Sequence, residues 1–367
     1  MVKVFILGAN GFIGSHLIEK ILETTDWSIV AFDMYGEYLE EIERSVKEAR
    51  FSFTKGDIFK EDFWIEKQIE ASDVVLPFAG IAKPAYYLSD PLWTFELDVE
   101  QNLKIVRLCA KHGKRVIFPS TSEVYGLSSD EILDEDKSPL IVGPINKMRW
   151  IYSCGKQMMD RVIMAYGQEK GLKYTIFRPF NWIGPRLDNS KDASKQAARS
   201  ITQIVYDILV KGEVTLVGGG EQRRSFTWIG DGIDALMELL YNRDGKADEQ
   251  IFNIGNPGNN ASIRELAEII VDVMKGIPKY AEYAEQARFV SVPEEEYYSN
   301  GYDDMKNRVP SIRKMKDLMN WTPKVGLRDA VRMTLEPLSR QLGIERNAEL
   351  YSIKKQSMSS IASGFVF

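Results

Sequence analysis

The chain has 367 residues, and 44% of them are hydrophobic, which is enough for one large or two moderate domains with buried cores. Its 47 basic and 53 acidic residues give a net charge of -6 without a long block of like charge, which argues against a nucleic-acid partner and favours a small molecule. No apolar run approaches the roughly 20 residues that span a bilayer, and the N-terminus is unlike a signal peptide, so we expect a cytoplasmic protein without a membrane segment.

The first half of the chain alternates short apolar runs with amphipathic stretches, which is typical of βαβ units and a parallel sheet. The runs VFILG, SIVAFD, FSFTKGD, DVVLPFA and RVIFPS are predicted strands, and YTIFRPFN from Tyr174 to Asn181 is a sixth. Amphipathic stretches from Pro91 to about His112 and from Trp150 to about Tyr166 are predicted helices. The pattern predicts an α/β fold, with a Rossmann-type doubly wound parallel sheet over residues 1–180.

The rhythm breaks after Asn181, where loops and short strands become frequent. One of these segments leads into a helix whose predicted N-cap is Ser262. We expect residues 181–342 to form mainly a smaller C-terminal substrate-binding lobe over the carboxyl ends of the strands, with some chain returning to the Rossmann domain. Residues 343–367 form a tail that carries no motif.

The first predicted strand runs directly into GANGFIG, which has G-x-x-G-x-x-G spacing. Glycines allow a tight turn and a close approach of the backbone to a pyrophosphate, which then lies at a helix N-terminus. The spacing predicts a dinucleotide site. Its residues are Gly8, Gly11, Phe12, Ile13 and Gly14.

The next two strand ends also fit a dinucleotide. Asp33 ends the second strand about 20 residues after the last glycine, where a carboxylate can accept hydrogen bonds from both ribose hydroxyls and repel a 2′-phosphate. This favours NAD over NADP as the cofactor. Asp57 and Ile58 follow the third strand and are placed to meet the adenine, although Asp57 fits an ordinary turn aspartate equally well.

Tyr152 and Lys156 have Y-x-x-x-K spacing at the start of a predicted helix, which places both side chains on one face. An ammonium group near a phenol lowers the pKa of the phenol, which can then take the proton from an alcohol as hydride leaves. The two cysteines and two histidines fit neither a disulfide framework nor a zinc pattern. We therefore expect hydride transfer without a metal.

Together these motifs resemble the extended short-chain dehydrogenase/reductase family of nucleotide-sugar epimerases, dehydratases and decarboxylases. The resemblance covers about Val2 to Leu338. It implies that Thr121 or Ser122, at the end of the fifth strand, hydrogen-bonds the reacting oxygen of the substrate. It also implies a homodimer in which the helices containing Leu103 and Met159 pack against their mates as a four-helix bundle.

Glu123 directly follows this hydroxyl pair, and a simple alcohol oxidation gives a carboxylate there no obvious task. Oxidation of a UDP-sugar acid at C4 would create a β-keto acid, which loses CO2 readily because the remaining electrons spread into the new carbonyl. A carboxylate beside C5 could then disfavour the carboxylate of the substrate or order water for proton transfer. Glu123 therefore favours decarboxylation, with a strand-end glutamate bonded to neighbouring backbone as the structural alternative.

Four segments, STSEVYG, NKMRWIYSCGKQMMDR, FRPFNWIGPR and GYDDMKNRVPSIR, are similar to the UDP-glucuronic acid decarboxylases of that family. The similarity implies that Glu123 is the proton acceptor and Arg308 the proton donor, with Arg308 acting through water or as a clamp for the carboxylate of the substrate. It also implies the substrate contacts Ala82, Tyr87, Arg149, Asn181, Arg224 and Tyr302. We expect a decarboxylase without the formyltransferase domain that accompanies it in bifunctional members.

Four positions depart from the decarboxylase pattern. Thr215 stands where a lysine is expected, Gly218 replaces an aspartate, Lys83 replaces a threonine, and Gly155 replaces a small residue with a side chain. These departures bear on how uridine is bound. The product, UDP-4-keto-pentose or UDP-xylose, stays open because it depends on how long NADH remains bound.

Three other functions are compatible with the fold. A UDP-apiose synthase runs the same oxidation and decarboxylation, but its family places cysteines where this chain has Ser122 and Ala82. A UDP-glucuronate 4-epimerase retains the carboxylate and has no need of Glu123 and Arg308. A catalytically silent dinucleotide-binding regulator is the non-enzymatic alternative, against which the presence of both Tyr152 and Lys156 argues.

Overall fold

The computed structural model describes residues 1–46, 50–293, 305 and 307–342. Tyr302, predicted to contact the substrate, and the tail 343–367 lie outside the described residues. The strands are, in chain order, β1 (Lys3–Leu7), β2 (Ser28–Asp33), β3 (Phe51–Lys55), β4 (Val74–Pro77), β5 (Arg115–Pro119), β6 (Tyr174–Pro179), β7 (Trp182–Ile183), β8 (Glu213–Val217), β9 (Arg223–Ser225), β10 (Thr227–Trp228), β11 (Gln250–Ile254), β12 (Asn260–Ser262), β13 (Arg288–Val292) and β14 (Asn307–Arg308).

A seven-stranded parallel sheet with the order β11-β6-β5-β4-β1-β2-β3 forms the centre of the protein. Its inner strands are apolar and buried on both faces, as is typical of parallel sheets covered by helices. The strand order reverses between β1 and β4, which is where ligands bind in open α/β sheets. The predicted Rossmann-type doubly wound sheet is confirmed, and β11, beyond residue 180, extends it.

Helices cover both faces of this sheet and build the second lobe. They are α1 (Phe12–Thr24), α2 (Leu39–Ser45), α3 (Asp62–Glu70), α4 (Pro84–Ser89), α5 (Pro91–Phe95), α6 (Asn102–His112), α7 (Trp150–Lys170), α8 (Ser190–Ser194), α9 (Ser200–Lys211), α10 (Ile229–Tyr241), α11 (Ile263–Lys275), α12 (Ala281–Gln286), α13 (Arg313–Met319) and α14 (Leu327–Leu342). Among the described residues, no helix is long and apolar enough to cross a membrane.

Two predicted helices differ from the observed ones. The helix expected from Pro91 to His112 is divided into α5 and α6 by a π-helical turn over Glu96–Gln101. A π turn accommodates one extra residue, which periodicity alone does not reveal. Helix α7 continues beyond Tyr166 to Lys170, and it ends where Gly171 adopts a left-handed φ of 67°.

The second lobe has its own apolar core, formed mainly by α9, α11, α14 and strand β8. Ser262 is the N-cap of α11, as predicted. Its hydroxyl accepts from the Glu265 N–H at 3.0 Å, and the Glu265 carboxylate accepts from the Ser262 N–H at 2.8 Å. This reciprocal capping box fixes the start of the helix.

Candidate active site

The turn between β1 and α1 passes close to the end of β4. Gly8 has a φ of 72°, and a Cβ there would collide with the backbone of Phe78 and Ala79. A Cβ on Gly14 would lie 2.7 Å from the carbonyl oxygen of Ala9. Both positions therefore require glycine for packing of the turn itself.

Gly11 is the N-cap of α1, and Phe12 and Ile13 begin that helix. The N–H groups of a first helical turn point out of the helix, so this turn offers donors to an anion at the switch point of the sheet. The donor set fits the pyrophosphate of a dinucleotide, which Phe12 and Ile13 would hold, while the Gly11 N–H donates to the Gly8 carbonyl at 3.2 Å and closes the turn.

Asp33 ends β2 beside this turn. Its two carboxylate oxygens accept from the N–H groups of Asn10 and Tyr35, each at 2.9 Å. Burial raises the pKa of Asp33, and the hydrogen bonds from these backbone groups oppose the rise. A backbone-held carboxylate at this strand end suits the ribose hydroxyls of NAD.

The predicted adenine contacts lie at the end of β3. Asp57 accepts from the Phe59 N–H at 3.0 Å and pairs with Lys60 at 3.0 Å, and these two contacts lower its pKa. This is the hydrogen bonding of a turn aspartate. The side chain of Ile58 packs in the core of the Rossmann domain. An adenine contact from Ile58 would therefore involve its backbone.

Tyr152 and Lys156 lie in the first turns of α7, and both are buried. The Tyr152 ring stacks on Tyr87 with a centroid distance of 4.5 Å and an interplanar angle of 9°. The Lys156 Nζ lies 3.1 Å from the Pro119 carbonyl oxygen and 3.1 Å from Asp98 Oδ1. The predicted pair is thus placed at the end of β5, together with a carboxylate that the sequence analysis missed.

The protein groups around Tyr152 raise its pKa far above the usual range. Burial is the main cause, the Asp98 and Glu123 carboxylates add to it, and hydrogen bonds with Thr121 and Tyr87 oppose it. The net lowering expected from Lys156 is therefore not found among these groups, because burial outweighs it and the Asp98 and Glu123 carboxylates add to the rise.

Glu123 is held between two arginines. Its Oε2 accepts from Arg149 Nη2 at 3.1 Å, and its Oε1 accepts from Arg308 Nη1 at 3.2 Å. The side chain of Arg149 is 1% exposed and that of Arg308 is 5% exposed. A strand-end glutamate bonded only to backbone is therefore excluded, because the carboxylate lies in a buried cluster of charges.

Separate elements bring these three residues together. Glu123 lies in a 3₁₀ turn, Ser122–Tyr125, whose N-cap Thr121 accepts from the Glu123 N–H at 3.2 Å. Arg149 is the N-cap of α7. Arg308 lies on β14, which pairs in parallel with β9, so that Arg308 is opposite Arg224.

The segment carrying Arg308 is fixed from both sides. The Leu133 N–H donates to the Val309 carbonyl at 2.8 Å, and the Ser311 N–H donates to the Leu133 carbonyl at 2.8 Å. On the other side, the buried guanidinium of Arg224 donates to the Met305 carbonyl at 2.8 Å. Arg224, predicted to bind the diphosphate, therefore also positions the chain next to Arg308.

A second buried network lies under the 3₁₀ turn. Asp160 Oδ2 accepts from the Ser120 hydroxyl and from Arg178 Nη2, each at 2.9 Å. Arg178 Nη1 donates to the Tyr125 hydroxyl at 2.9 Å, and that hydroxyl donates to Asn253 at 2.8 Å. The sequence analysis missed these residues. Polar residues inside apolar strands and helices were the available signal, since buried polar groups need partners.

The remaining predicted substrate residues lie in loops that follow strands of the central sheet. Ala82 is exposed after β4. The next residue, Lys83, pairs with Asp192 of α8 at 2.5 Å and so connects the two lobes. Asn181 has a φ of 38°, and its side chain donates to the Ser225 carbonyl at 3.5 Å. Gly218, which replaces the expected aspartate, has a left-handed φ of 55°, a conformation that glycine adopts without strain.

Met159, which the dimer prediction names on α7, does not lie at the surface. Met159 is fully buried in the core of its own chain, so it cannot contact a second copy. Apolar side chains at the surface of α5 and α7 are instead Leu92, 70% exposed, and Met158, 56% exposed. The dimer stays a prediction, with these residues in place of Met159.

Comparisons with known proteins match the chain to a family and to solved structures. Residues 4–255 match the NAD dependent epimerase/dehydratase family, which is more than half of the chain. The chain is 45% identical to the PbgP3 protein from Burkholderia pseudomallei, with a TM-score of 0.81 over 91% of this chain and 95% of that one. It shares its fold with the UDP-glucuronic acid 4-epimerase from Bacillus cereus in complex with UDP-glucuronic acid and NAD, at 22% identity and a TM-score of 0.74 over 92% and 99% of the two chains. The DesIV dTDP-glucose 4,6-dehydratase from Streptomyces venezuelae, with NAD and TYD bound, has 22% identity and a TM-score of 0.75 over 92% and 97%.

Proposed function

This chain belongs to the NAD dependent epimerase/dehydratase family, and from that premise we propose that it is a UDP-glucuronic acid decarboxylase. Family membership confirms NAD as the cofactor and an enzyme of the NAD dependent epimerase/dehydratase family. The nucleotide-sugar enzymes among the proteins of the same fold support a nucleotide sugar as the substrate. The proposed reaction is oxidation of the sugar at C4 followed by loss of the C5 carboxylate as CO2. UDP-4-keto-pentose is the product if NADH leaves, and UDP-xylose if it stays.

The observation that carries this proposal is the position of Glu123 between Arg149 and Arg308. Guanidinium groups bind carboxylates through paired, charge-assisted hydrogen bonds, so this cluster suits a substrate that has a carboxylate of its own. A carboxylate of the sugar could replace Glu123 on Arg308 without leaving the guanidinium unpaired. Glu123 would then be free to hold water beside C5.

Tyr152 and Thr121 would carry out the oxidation step. The C4 hydroxyl gives its proton to the oxygen of ionised Tyr152, the C4–H bond breaks with its electron pair leaving as hydride, and a C4 carbonyl forms. NAD, when bound, would supply the acceptor for this hydride. Thr121 is near enough to hydrogen-bond the Tyr152 hydroxyl and to orient the reacting oxygen.

Loss of CO2 follows from the new carbonyl. The C5–C6 bond breaks, CO2 leaves, and the bonding electrons enter the C4 carbonyl as an enolate. A proton delivered to C5 restores the ketone. Glu123 and Arg308 would order the water that supplies this proton, since an arginine does not give up its own proton readily.

The other predicted substrate residues have positions that suit a UDP-sugar. Tyr87 packs on Tyr152, which supports a contact with the sugar, and Arg224 is a buried guanidinium suited to a diphosphate. Ala82 and Asn181 lie at the carboxyl ends of β4 and β6. Tyr302 and the departures at Lys83, Thr215 and Gly218 leave the uridine contacts for experiment.

A 4-epimerase is the second candidate, because a protein of the same fold, that of Bacillus cereus, acts on UDP-glucuronic acid. The two functions differ in product. We expect the protein with NAD to convert UDP-glucuronic acid into a UDP-pentose, identified by proton NMR, with a rise in NADH absorbance if the ketone is released. Conversion to UDP-galacturonic acid would contradict the proposal, as would a lack of any product, which would favour the silent regulator.

A further inference from the structure

The π-helical turn Glu96–Gln101 carries a carboxylate into the protein. It turns Asp98 inward, and the side chain is 2% exposed. The Asn102 amide fixes the turn by donating to the carbonyls of Leu97 at 3.1 Å, Asp98 at 3.3 Å and Ala79 at 3.1 Å. Because π turns inside helices are frequent at functional sites, this irregularity points to a role for the residue it places.

Asp98 occupies a closely fitted position between the loop after β4 and the catalytic helix. Its Oδ2 accepts from the Ile81 N–H at 2.9 Å, and its Oδ1 lies 3.1 Å from Lys156 Nζ. A Cβ on Gly80 would lie only 2.6 Å from Oδ1, so the loop can approach the carboxylate only with glycine there. The loop after β4, the Asp98 carboxylate and Lys156 therefore pack closely against one another.

We propose that Asp98 is a positioning residue of the hydride-transfer site, which fixes the Lys156 ammonium and offsets its charge next to Tyr152. The proposal rests on the assignment of Tyr152 and Lys156 as the hydride-transfer pair under the proposed function. With Asp98 and the Pro119 carbonyl on one side, the ammonium is directed, and its remaining N–H can serve a ribose hydroxyl. Ionisation of Tyr152 then depends on the balance between the charges of Lys156 and Asp98 beside it.

Asp98 is one of several groups around Tyr152 that affect its pKa. The groups that act on the tyrosine from the surrounding elements are Tyr87 on α4, Asp98 in the π turn, Thr121 and Glu123 after β5, and Lys156 on α7. Arg149 and Arg308 are paired with Glu123. Of the charged groups, Asp98 raises the pKa of Tyr152 most. Removal of this charge should therefore lower the pKa of Tyr152, so that the phenolate forms at a lower pH.

The test separates charge from shape. Asp98→Asn keeps the size of the side chain and removes the charge, whereas Asp98→Glu keeps the charge and changes the fit. The ultraviolet absorbance of phenolate is measured as a function of pH for the NAD-bound wild type, Asp98→Asn and Asp98→Glu. The same titration with Tyr152→Phe added to each protein identifies the part of the signal that comes from Tyr152. We expect this ionisation about one pH unit or more lower in Asp98→Asn and close to the wild-type position in Asp98→Glu.

Kinetics provide a second readout. Hydride transfer requires ionised Tyr152, so the rate of NADH formation rises with pH, and in Asp98→Asn this rise should move to lower pH by the same amount as the titration. A folded Asp98→Asn protein whose tyrosine titrates as in the wild type would overturn the proposal. If that variant does not fold, Asp98→Ser carries the same expectation and the same contradiction.

The titration needs no sugar, so it distinguishes this proposal from the proposed function. Failure to release CO2 from UDP-glucuronic acid, together with a shifted titration in Asp98→Asn, would reject the decarboxylase and leave the role of Asp98 intact. CO2 release together with an unshifted titration in Asp98→Asn would support the decarboxylase and reject the proposed role of Asp98.

Discussion

The candidate site is built from buried charges whose roles depend on their neighbours. Lys156 has Asp98 within 3.1 Å, and Glu123 has an arginine on each oxygen. Buried charges are costly unless they are paired, and removing one partner leaves the other uncompensated. Substitutions here should therefore keep shape wherever possible, so that a change in chemistry is not confused with a loss of folding.

Arg308 and Glu123 should matter most after the oxidation. We expect Glu123→Gln and Arg308→Met to reduce CO2 release from UDP-glucuronic acid by about 100-fold or more, the usual scale for a positioned acid, base or charge-stabilising group. Weak oxidation of UDP-glucose, followed as NADH absorbance, should change little in Arg308→Met because that sugar has no carboxylate. Arg313→Met, at an exposed arginine on α13, is the matched control.

The opposite pattern for Arg308→Met would place the residue elsewhere in the mechanism. If decarboxylation stays intact while oxidation of UDP-glucose collapses, Arg308 belongs to general substrate binding. Glu123 would then have no demonstrated connection to the carboxylate.

Helices and strands differ in how far the sequence predicts them. Six strands of the central sheet and the capping of α11 are local patterns, and they were predicted correctly, whereas β11 was not predicted as the seventh strand of that sheet. The π turn was not, because one inserted residue leaves the apolar periodicity of α5 and α6 nearly unchanged. Asp98, Asp160 and Arg178 were missed for a related reason, since their partners come from distant elements and only the packed fold brings them together.

The capping box of α11 allows a test of stability that leaves the site untouched. Ser262→Ala removes the hydroxyl that accepts from Glu265 N–H and should lower the free energy of unfolding by about 1 kcal/mol. Urea denaturation measures the change, and Ser129→Ala, in an exposed loop, is the control. An unfolding free energy equal to that of the wild type would mean that water caps the helix equally well.

Both lobes contribute to the candidate site, which takes Tyr152 and Glu123 from the Rossmann domain and Arg308 from a strand that pairs with β9 of the second lobe. Tyr152 was identified from the spacing of its motif, and Glu123 from its position directly after the hydroxyl pair Thr121 and Ser122. The role of Arg308 was predicted only from the family resemblance, because a polar loop sequence gives no indication that one of its arginines is buried. Its 4% exposure is a property of the folded protein.

Assembly into a homodimer is expected through α7, which contains Met159, and through the helical stretch from α5 to α6, which contains Leu103. Leu92 and Met158 expose apolar surface there, and burying it would be favourable. Light scattering at micromolar concentration should give twice the mass of the chain, and Met158→Asp should shift it toward the monomer. Phe289→Asp, which changes an apolar residue 40% exposed in the second lobe, should not. A monomeric wild-type protein would contradict this expectation.

Release of C6 is the most direct measurement of the proposed chemistry. The protein is mixed with NAD and UDP-glucuronic acid labelled with carbon-13 at C6, and the label is followed by NMR. We predict that each substrate molecule consumed gives one labelled CO2 or bicarbonate and one UDP-pentose without label. Label that remains bound to carbon in a UDP-hexuronic acid would contradict the decarboxylase and assign Glu123 and Arg308 to another task.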